Sequence, residues 1–256
     1  MPETMRQLAI ILLAATTLFY GCAGSDSESG AFGQSGTSVG GSLASITIVD
    51  DHLYALNQTS IIPVDISDLT DPEVLDLVRV ESGLETIFPY DGKLFLGSAS
   101  AMFIYDLAQK DRPQLLSVFT HATGCDPVVA RGNYAYVTLR DGLSCNNPFR
   151  LNVLSVVDIS DPTRTSLVNE YNLNNPRGLG IGCNNKLFVC DGEFGLRQYD
   201  LTDPSAPELD TTYTDYFAND VLIKDDVVTM TGEDGIYQFL CEEDELRLLS
   251  RLPITR

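Results

Sequence analysis

Two marks recur along this chain with a shared period, and that recurrence limits the fold more than any other feature. The first is an Asp closing a β-rich run: VDISDLTDP from Val64, IYDLAQKDRP from Ile104, VDISDPTRT from Val157 and YDLTDPSAP from Tyr199. Its carboxylates, Asp65, Asp106, Asp158 and Asp200, are spaced 41, 52 and 42 residues apart. The second mark lies upstream in each unit, as LYAL, LFLG, AYVT, LFVC and VVTM. Its central residues, Tyr54, Phe95, Tyr136, Phe188 and Val228, are spaced 41, 41, 52 and 40. One insertion, DGLSCNNPFRLN at 141–152, accounts for the long gap in both series. A fifth copy is degenerate, with Leu240 in the Asp position of GIYQFLC.

Each unit contains four short β-rich runs; in the second they are LETIFPY, KLFLGS, AMFIYDL and QLLSVFTH. Alternating β-branched and aromatic residues argue for strands, and the DG, NN and DP steps between them for turns. No apolar stripe of helical period and useful length follows residue 43. About 40 residues carrying four strands is the signature of a propeller blade. The expected fold is therefore all-β: a five-bladed β-propeller of about 41-residue four-stranded repeats, at 43–80, 81–121, 122–173, 174–215 and 216–256. The core VVDISDP at 156–162, preceded by GNYAYV at 132–137, resembles the LVIVD repeat of bacterial surface and secreted proteins. Extended over 43–256, that resemblance implies a propeller and no specific activity.

Local roles follow for the marks themselves. Asp, Ser and Pro after the third strand suit an Asx or Ser turn, with Pro fixing φ for the reversal. The aromatic of the second strand is expected to pack between blades.

The segment before the repeats reads as an address. Residues 8–20, LAIILLAATTLFY, are apolar over 13 positions behind Arg6, too short to span a bilayer and laid out like a secretory leader. Met5 offers a second start that shortens this leader. The run ends in Gly21-Cys22, which resembles a lipobox, although Phe19 and Tyr20 are bulkier than its usual residues. The resemblance makes 1–21 a lipoprotein signal peptide and Cys22 the lipid-attachment residue. Residues 22–42 are rich in Gly and Ser and form a flexible tether, reaching about 25 Å for twenty residues. The expected location is the exported face of the envelope, at the outer membrane or cell surface, with the membrane reached through the lipid alone.

Charge narrows the partners. Asp plus Glu number 36 against 16 Lys plus Arg, a net charge of -20, so phosphate backbones are repelled and no nucleic-acid partner is expected. Two His and no Trp leave little for a His-based metal site, a triad or a sugar-stacking platform. Neither a metal nor a cofactor is expected.

Antiparallel order sorts the loops onto two faces. With strands a to d running outward, the start of strand a and the b–c loop share one face, here the top. Top candidates are Asp126, Arg140, Asp141, Asn146, Asn147, Arg150, Arg177, Asp191, Glu193, Asp220, Glu233 and Asp234. Long loops on a rigid scaffold are where binding concentrates. The expected role is a non-catalytic binding or scaffold module for an envelope protein or polymer. The alternative is a glycosidase-like hydrolase using paired top carboxylates, although the innermost strands ITIV, ETIF, PVVA, LGIG and DVLI are mostly apolar. No G-x-S-x-G, P-loop or H-E-x-x-H motif supports catalysis.

Cysteines obey the same sorting. Cys125 and Cys145 fall on the top of the third unit and form the candidate disulfide, with Cys145–Cys190 as the rival pairing. Cys183 and Cys241 fall on the bottom of different units. Without an evident strand shared between the first and last units, closure is expected to rest on face packing between them.

Overall fold

The computed structural model describes residues 42–80, 83–121, 127–141, 151–242 and 245–254. Five antiparallel sheets follow one another along these residues, each built from contiguous strands. Blade 1 holds β1 (Ile46–Val49), β2 (His52–Asn57) and β3 (Ser60–Asp65), with its fourth strand split into β4 (Glu73–Val74) and β5 (Val78–Arg79). Blade 2 is β6 (Leu84–Tyr90), β7 (Lys93–Ser98), β8 (Ala101–Asp106) and β9 (Gln114–Thr120). Blade 3 is β10 (Val128–Arg131), β11 (Tyr134–Leu139), β12 (Val153–Asp158) and β13 (Ser166–Asn172). Blade 4 is β14 (Leu179–Gly182), β15 (Lys186–Cys190), β16 (Leu196–Asp200) and β17 (Glu208–Tyr213). Blade 5 is β18 (Asp220–Lys224), β19 (Val227–Thr231), β20 (Gly235–Glu242) and β21 (Glu245–Pro253). The chain is a five-bladed β-propeller.

Register explains both sequence marks. Tight turns join the first two strands of each blade, and residues of αL backbone fill them: Asp50, Asp91, Gly132, Asn184 and Asp225 have positive φ. Two residues beyond each turn stand Tyr54, Phe95, Tyr136 and Phe188, all fully buried. In blade 5 the Lys224–Val227 pair closes the turn, so the equivalent residue is Thr229, not Val228. The corrected spacing is 41, 41, 52 and 41, and the last blade loses its aromatic. The pairs His52–Asp65, Lys93–Asp106, Tyr134–Asp158, Lys186–Asp200 and Val227–Leu240 confirm Leu240 in the Asp slot.

The repeated Asp residues hold turns. Ser67, Ser160 and Thr202 donate backbone N–H groups to Asp65, Asp158 and Asp200 at 2.7, 2.8 and 2.6 Å. Three residues on, Asp68, Asp161 and Asp203 repeat the device with Thr70, Thr163 and Ser205. All six carboxylates are held below the usual range: Asp200 chiefly by the Lys186 ammonium, Asp68, Asp161 and Asp203 chiefly by the Thr70, Thr163 and Ser205 hydroxyls, and Asp65 and Asp158 chiefly by these backbone bonds.

Blades join face to face. Call the face toward the following blade trailing and the opposite one leading. Among the described residues, buried apolar clusters connect blades 1–2, 2–3, 3–4 and 4–5. Trailing aromatics add directed bonds: the Tyr54 hydroxyl donates to the Lys110 carbonyl, and that of Tyr136 to the Pro204 carbonyl. Beneath blades 1 and 2, buried His52 is held between Asp51 at 2.8 Å and Asp111 at 2.7 Å. Burial opposes its charge, yet the two carboxylates outweigh burial and raise its pKa.

The bottom cysteines form the bridge. Cys183, in the β14–β15 turn, is bonded to Cys241 on β20, tying blade 4 to blade 5. The candidate pair Cys125–Cys145 lies outside the described residues, as do Cys22 and the leader and tether. Cys190 carries a free, fully buried thiol, against the Cys145–Cys190 alternative.

The seam between blades 5 and 1 differs from the expected face packing. No strand crosses it, yet Ile46 and Ile48 on the leading face of blade 1 are 55% and 43% exposed. The first and last blades instead meet near the axis, where Ser42 Oγ donates to Asp220 Oδ1 at 3.4 Å and accepts from the Leu179 N–H at 2.7 Å.

Candidate binding site at the axial mouth

The top ends of the innermost strands converge on one cavity of about 230 Å3. All five blades contribute: Leu43 precedes β1, Glu85 lies on β6, Pro127 precedes β10, Pro176 and Arg177 precede β14, and Asn219 and Asp220 start the fifth blade. Arg140 and Thr231 enter from the ends of the second strands in blades 3 and 5. Propeller topology places these residues together because strand a starts, and strand b ends, on the top.

Arg177 is the best-held of them. Its backbone N–H donates to the Cys190 carbonyl at 2.7 Å, and its carbonyl accepts from Thr138 Oγ1 at 2.7 Å. The guanidinium donates from Nη1 to Asn219 Oδ1 at 2.8 Å and lies 5.0 Å from the Phe217 ring centroid, within cation–π range. Its Nε is buried without a hydrogen-bond partner. Arg140 sits close enough to feel that charge: burial, then Arg177, push its pKa down, while Glu85 pulls it up.

Two acids complete the charge pattern. Burial raises the Glu85 carboxyl, with Arg140 opposing. Burial pushes Asp220 up to about 6, partly offset by the Val221 N–H and Ser42. Gly178 is required beside it, because a Cβ there would stand 1.9 Å from Asp220 Oδ1.

The other candidates scatter. Asp191 is fully buried and structural: it accepts from the Asn174 and Asn175 N–H groups and pairs with Arg197 at 2.8 Å. Its charge is therefore spent inside the blade, which removes it as a surface ligand or a free acid for hydrolysis. Glu193 accepts from Asn175 Nδ2 at 2.7 Å, which lowers its pKa, as the nearby Arg177 charge does to a smaller extent. Asp141 donates its backbone N–H to Asn152 Oδ1 at 2.9 Å, anchoring the exit of β11. Glu233 is exposed, and Asp234 pairs with Arg251 and accepts from Tyr237. Asp126, Asn146, Asn147 and Arg150 lie outside the described residues. Glu85 and Asn219 were not among the sequence candidates. Glu85 hides within the β-run LETIFPY, and only aligning the slot at the top of each strand a brings it beside Arg177 and Asp220. Among the described residues, no three His, Cys, Asp or Glu side chains are grouped to hold a metal ion.

Comparison with known proteins agrees with this architecture. The LVIVD repeat family model matches residues 125–144 and 149–173, the third blade. No curated protein matches the chain. A functionally unknown protein from Desulfotomaculum acetoxidans shares the fold at TM-score 0.66 and 12% identity, over 81% of this chain and 68% of that one. A periplasmic gluconolactonase from Pseudomonas aeruginosa gives 0.61 and 15%, over 80% and 68%. AztD from Citrobacter koseri gives 0.59 and 15%, over 80% and 61%, so the chain spans about two thirds of these structures. At such identities the likeness extends to the fold alone. The chain is a five-bladed β-propeller that carries the LVIVD repeat.

Proposed function

We propose that this propeller is an exported, lipid-anchored binding module of the bacterial cell envelope, non-catalytic, with the axial mouth as its ligand-facing surface. One observation carries the reading: every blade delivers a residue to a single cavity, and two of the charged ones, Arg177 and Asp220, are held by bonds from neighbouring blades. Rigid placement of a few polar groups in a concavity is what a binding site requires. The Cys183–Cys241 bond fits an oxidising compartment. The lipobox-like Gly21-Cys22 and the Gly/Ser tether fit anchoring at a membrane surface.

Two measurements test it. Metabolic labelling with radioactive palmitate in a bacterial host should mark the wild-type chain and not Cys22→Ala, which should leave the membrane fraction. Labelling of neither protein removes the anchor. Cross-linking capture from envelope extracts should enrich a partner with the wild type and lose it with Arg177→Glu. Enrichment indifferent to that substitution moves the binding surface away from the mouth.

A further inference from the structure

We infer that the axial mouth takes a small carboxylate that also carries hydrogen-bond donors, with Arg140 and Arg177 receiving the carboxylate. The inference rests on the mouth being the binding surface and names the class of molecule that fits it.

Charge placement is the first argument. Acids outnumber bases 36 to 16 in this chain, yet two guanidiniums share one cavity. Among the described residues neither enters an ion pair, although Lys93, Lys110, Lys186, Arg197, Arg247 and Arg251 all do. Arg177 spends Nη1 on a neutral amide and its face on the Phe217 ring. Glu85 and Asp220 share the cavity but form no ion pair with either guanidinium among the described residues, so a ligand carboxylate between Arg140 and Arg177 relieves the repulsion that Arg177 exerts on Arg140.

The second argument is the orphaned donor. Arg177 Nε is buried with no partner, an unfavourable state for a polar donor. A planar oxyanion bridging two guanidiniums supplies acceptors in the fork geometry that arginine favours.

Size and the remaining wall set the rest. About 230 Å3 is below the roughly 300–1,000 Å3 of pockets for drug-sized ligands, so the occupant is small. Glu85 and Asp220 present acceptors, which calls for hydroxyl or ammonium groups on the ligand. The same two acids disfavour a dianionic phosphate, whose second charge they would oppose.

The test is titration calorimetry on the full chain in detergent, with L-malate and L-glutamate as probes and sodium chloride, sodium phosphate and glycerol as comparators. At least one acid should give saturable heat, and Arg177→Gln and Arg140→Gln should each weaken it about tenfold or more. Should Arg177→Gln lower the melting temperature, Arg140→Gln alone decides. Absent heat from both acids, heat unchanged in both variants, or phosphate binding tighter than either acid overturns the inference. If the acids fail while Arg177→Glu still abolishes partner capture, the mouth remains the binding surface and only the ligand class falls.

Discussion

The leading face of a blade is sealed in blades 2 to 5 and open in blade 1, although the residues are of one kind throughout. In blade 2 the row Ile87–Leu96–Phe103 crosses three strands, and in blade 5 the row is Val221–Met230–Tyr237; all six side chains are buried. In blade 1 the matching rows are Ile46–Ala55–Ile62 and Ile48–Leu53–Val64, the second running on to Val74. Ile46, Ile48 and Val74 are 55%, 43% and 67% exposed. The trailing face of blade 5 takes the opposite course. Where earlier blades place a buried aromatic, it carries Thr229, flanked by half-buried Leu222 and exposed Gln238. A radial stack of sheets is a sum of neighbour contacts, and its ends behave as caps. One cap here is mixed, with Thr229, Thr231 and Gln238 among half-buried Leu222, Ile236 and Leu240; the other is as apolar as an interior face.

The largest effect should come from an interior aromatic. Phe188→Ala removes a fully buried ring from the cluster joining blades 4 and 5, and should cost about 3–5 kcal/mol in urea unfolding. Close behind comes the bridge across the same interface. Cys183 and Cys241 are 58 residues apart, and losing that loop closure costs about 4 kcal/mol in the chain-entropy account. Cys183→Ala with Cys241→Ala, or reduction of the wild type, should lower the urea midpoint accordingly. Because both changes act on one interface, the combined loss should fall short of the sum. Strict additivity would mean the ring and the bridge hold different units.

Most of the scaffold was legible because a propeller repeats its physics. Asp65, Asp158 and Asp200 bond the backbone two residues on, so each copy needs the same short acceptor and leaves the same letter. The aromatic mark worked for four blades and slipped by one in the fifth. A face with no following blade against it needs no aromatic there, so Thr229 left no letter to find. The cavity was only half legible. Arg140, Arg177 and Asp220 announce themselves at loop ends, while Glu85 reads as one more strand residue. Asp191 misled for the converse reason: its carboxylate lies one residue past β15, where a loop ligand would stand, but Arg197 on β16 turns it inward. The Cys183–Cys241 bond joins the β14–β15 turn of one blade to the third strand of the next. Sorting by face put both thiols on the bottom, but only packing could bring them together.

Asp220 should have a smaller, pH-dependent effect that probes the axis rather than the blade faces. Its folded pKa of about 6 lies above the ordinary aspartate value of 3.8, so the folded state binds the proton more tightly. That contribution is complete below pH 4 and is lost as pH rises towards 6; above it, the buried charge costs on the order of 3 kcal/mol at most. Asp220→Asn should therefore gain stability relative to the wild type at pH 7 and nearly nothing at pH 4, read as the gap between melting temperatures. A gap independent of pH would mean that the carboxyl is not held in a desolvated place. His52 contributes with the same sign about its own raised pKa. Its stabilisation by Asp51 and Asp111 is present below pH 6.5 and fades above, so His52→Gln should cost more at pH 5.5 than at pH 8.5.

The smallest effect belongs to the open face and decides whether the comparison between blade faces holds in solution. Ile46→Thr with Ile48→Thr keeps both residues β-branched, so strand preference is preserved while apolar area is removed. Both side chains are already largely in water, and exposed substitutions of this kind change stability by about 0.5 kcal/mol or less. The urea midpoint should stay near the wild-type value while Phe188→Ala shifts far from it. A loss by the double variant approaching that of Phe188→Ala would show that blade 1 is sealed on both sides, with the row Ile48–Leu53–Val64 packed as tightly as its counterparts. The contrast between open and sealed leading faces would then be untenable, because the face of blade 1 would be an interior face with the same obligation to stay dry as the other four.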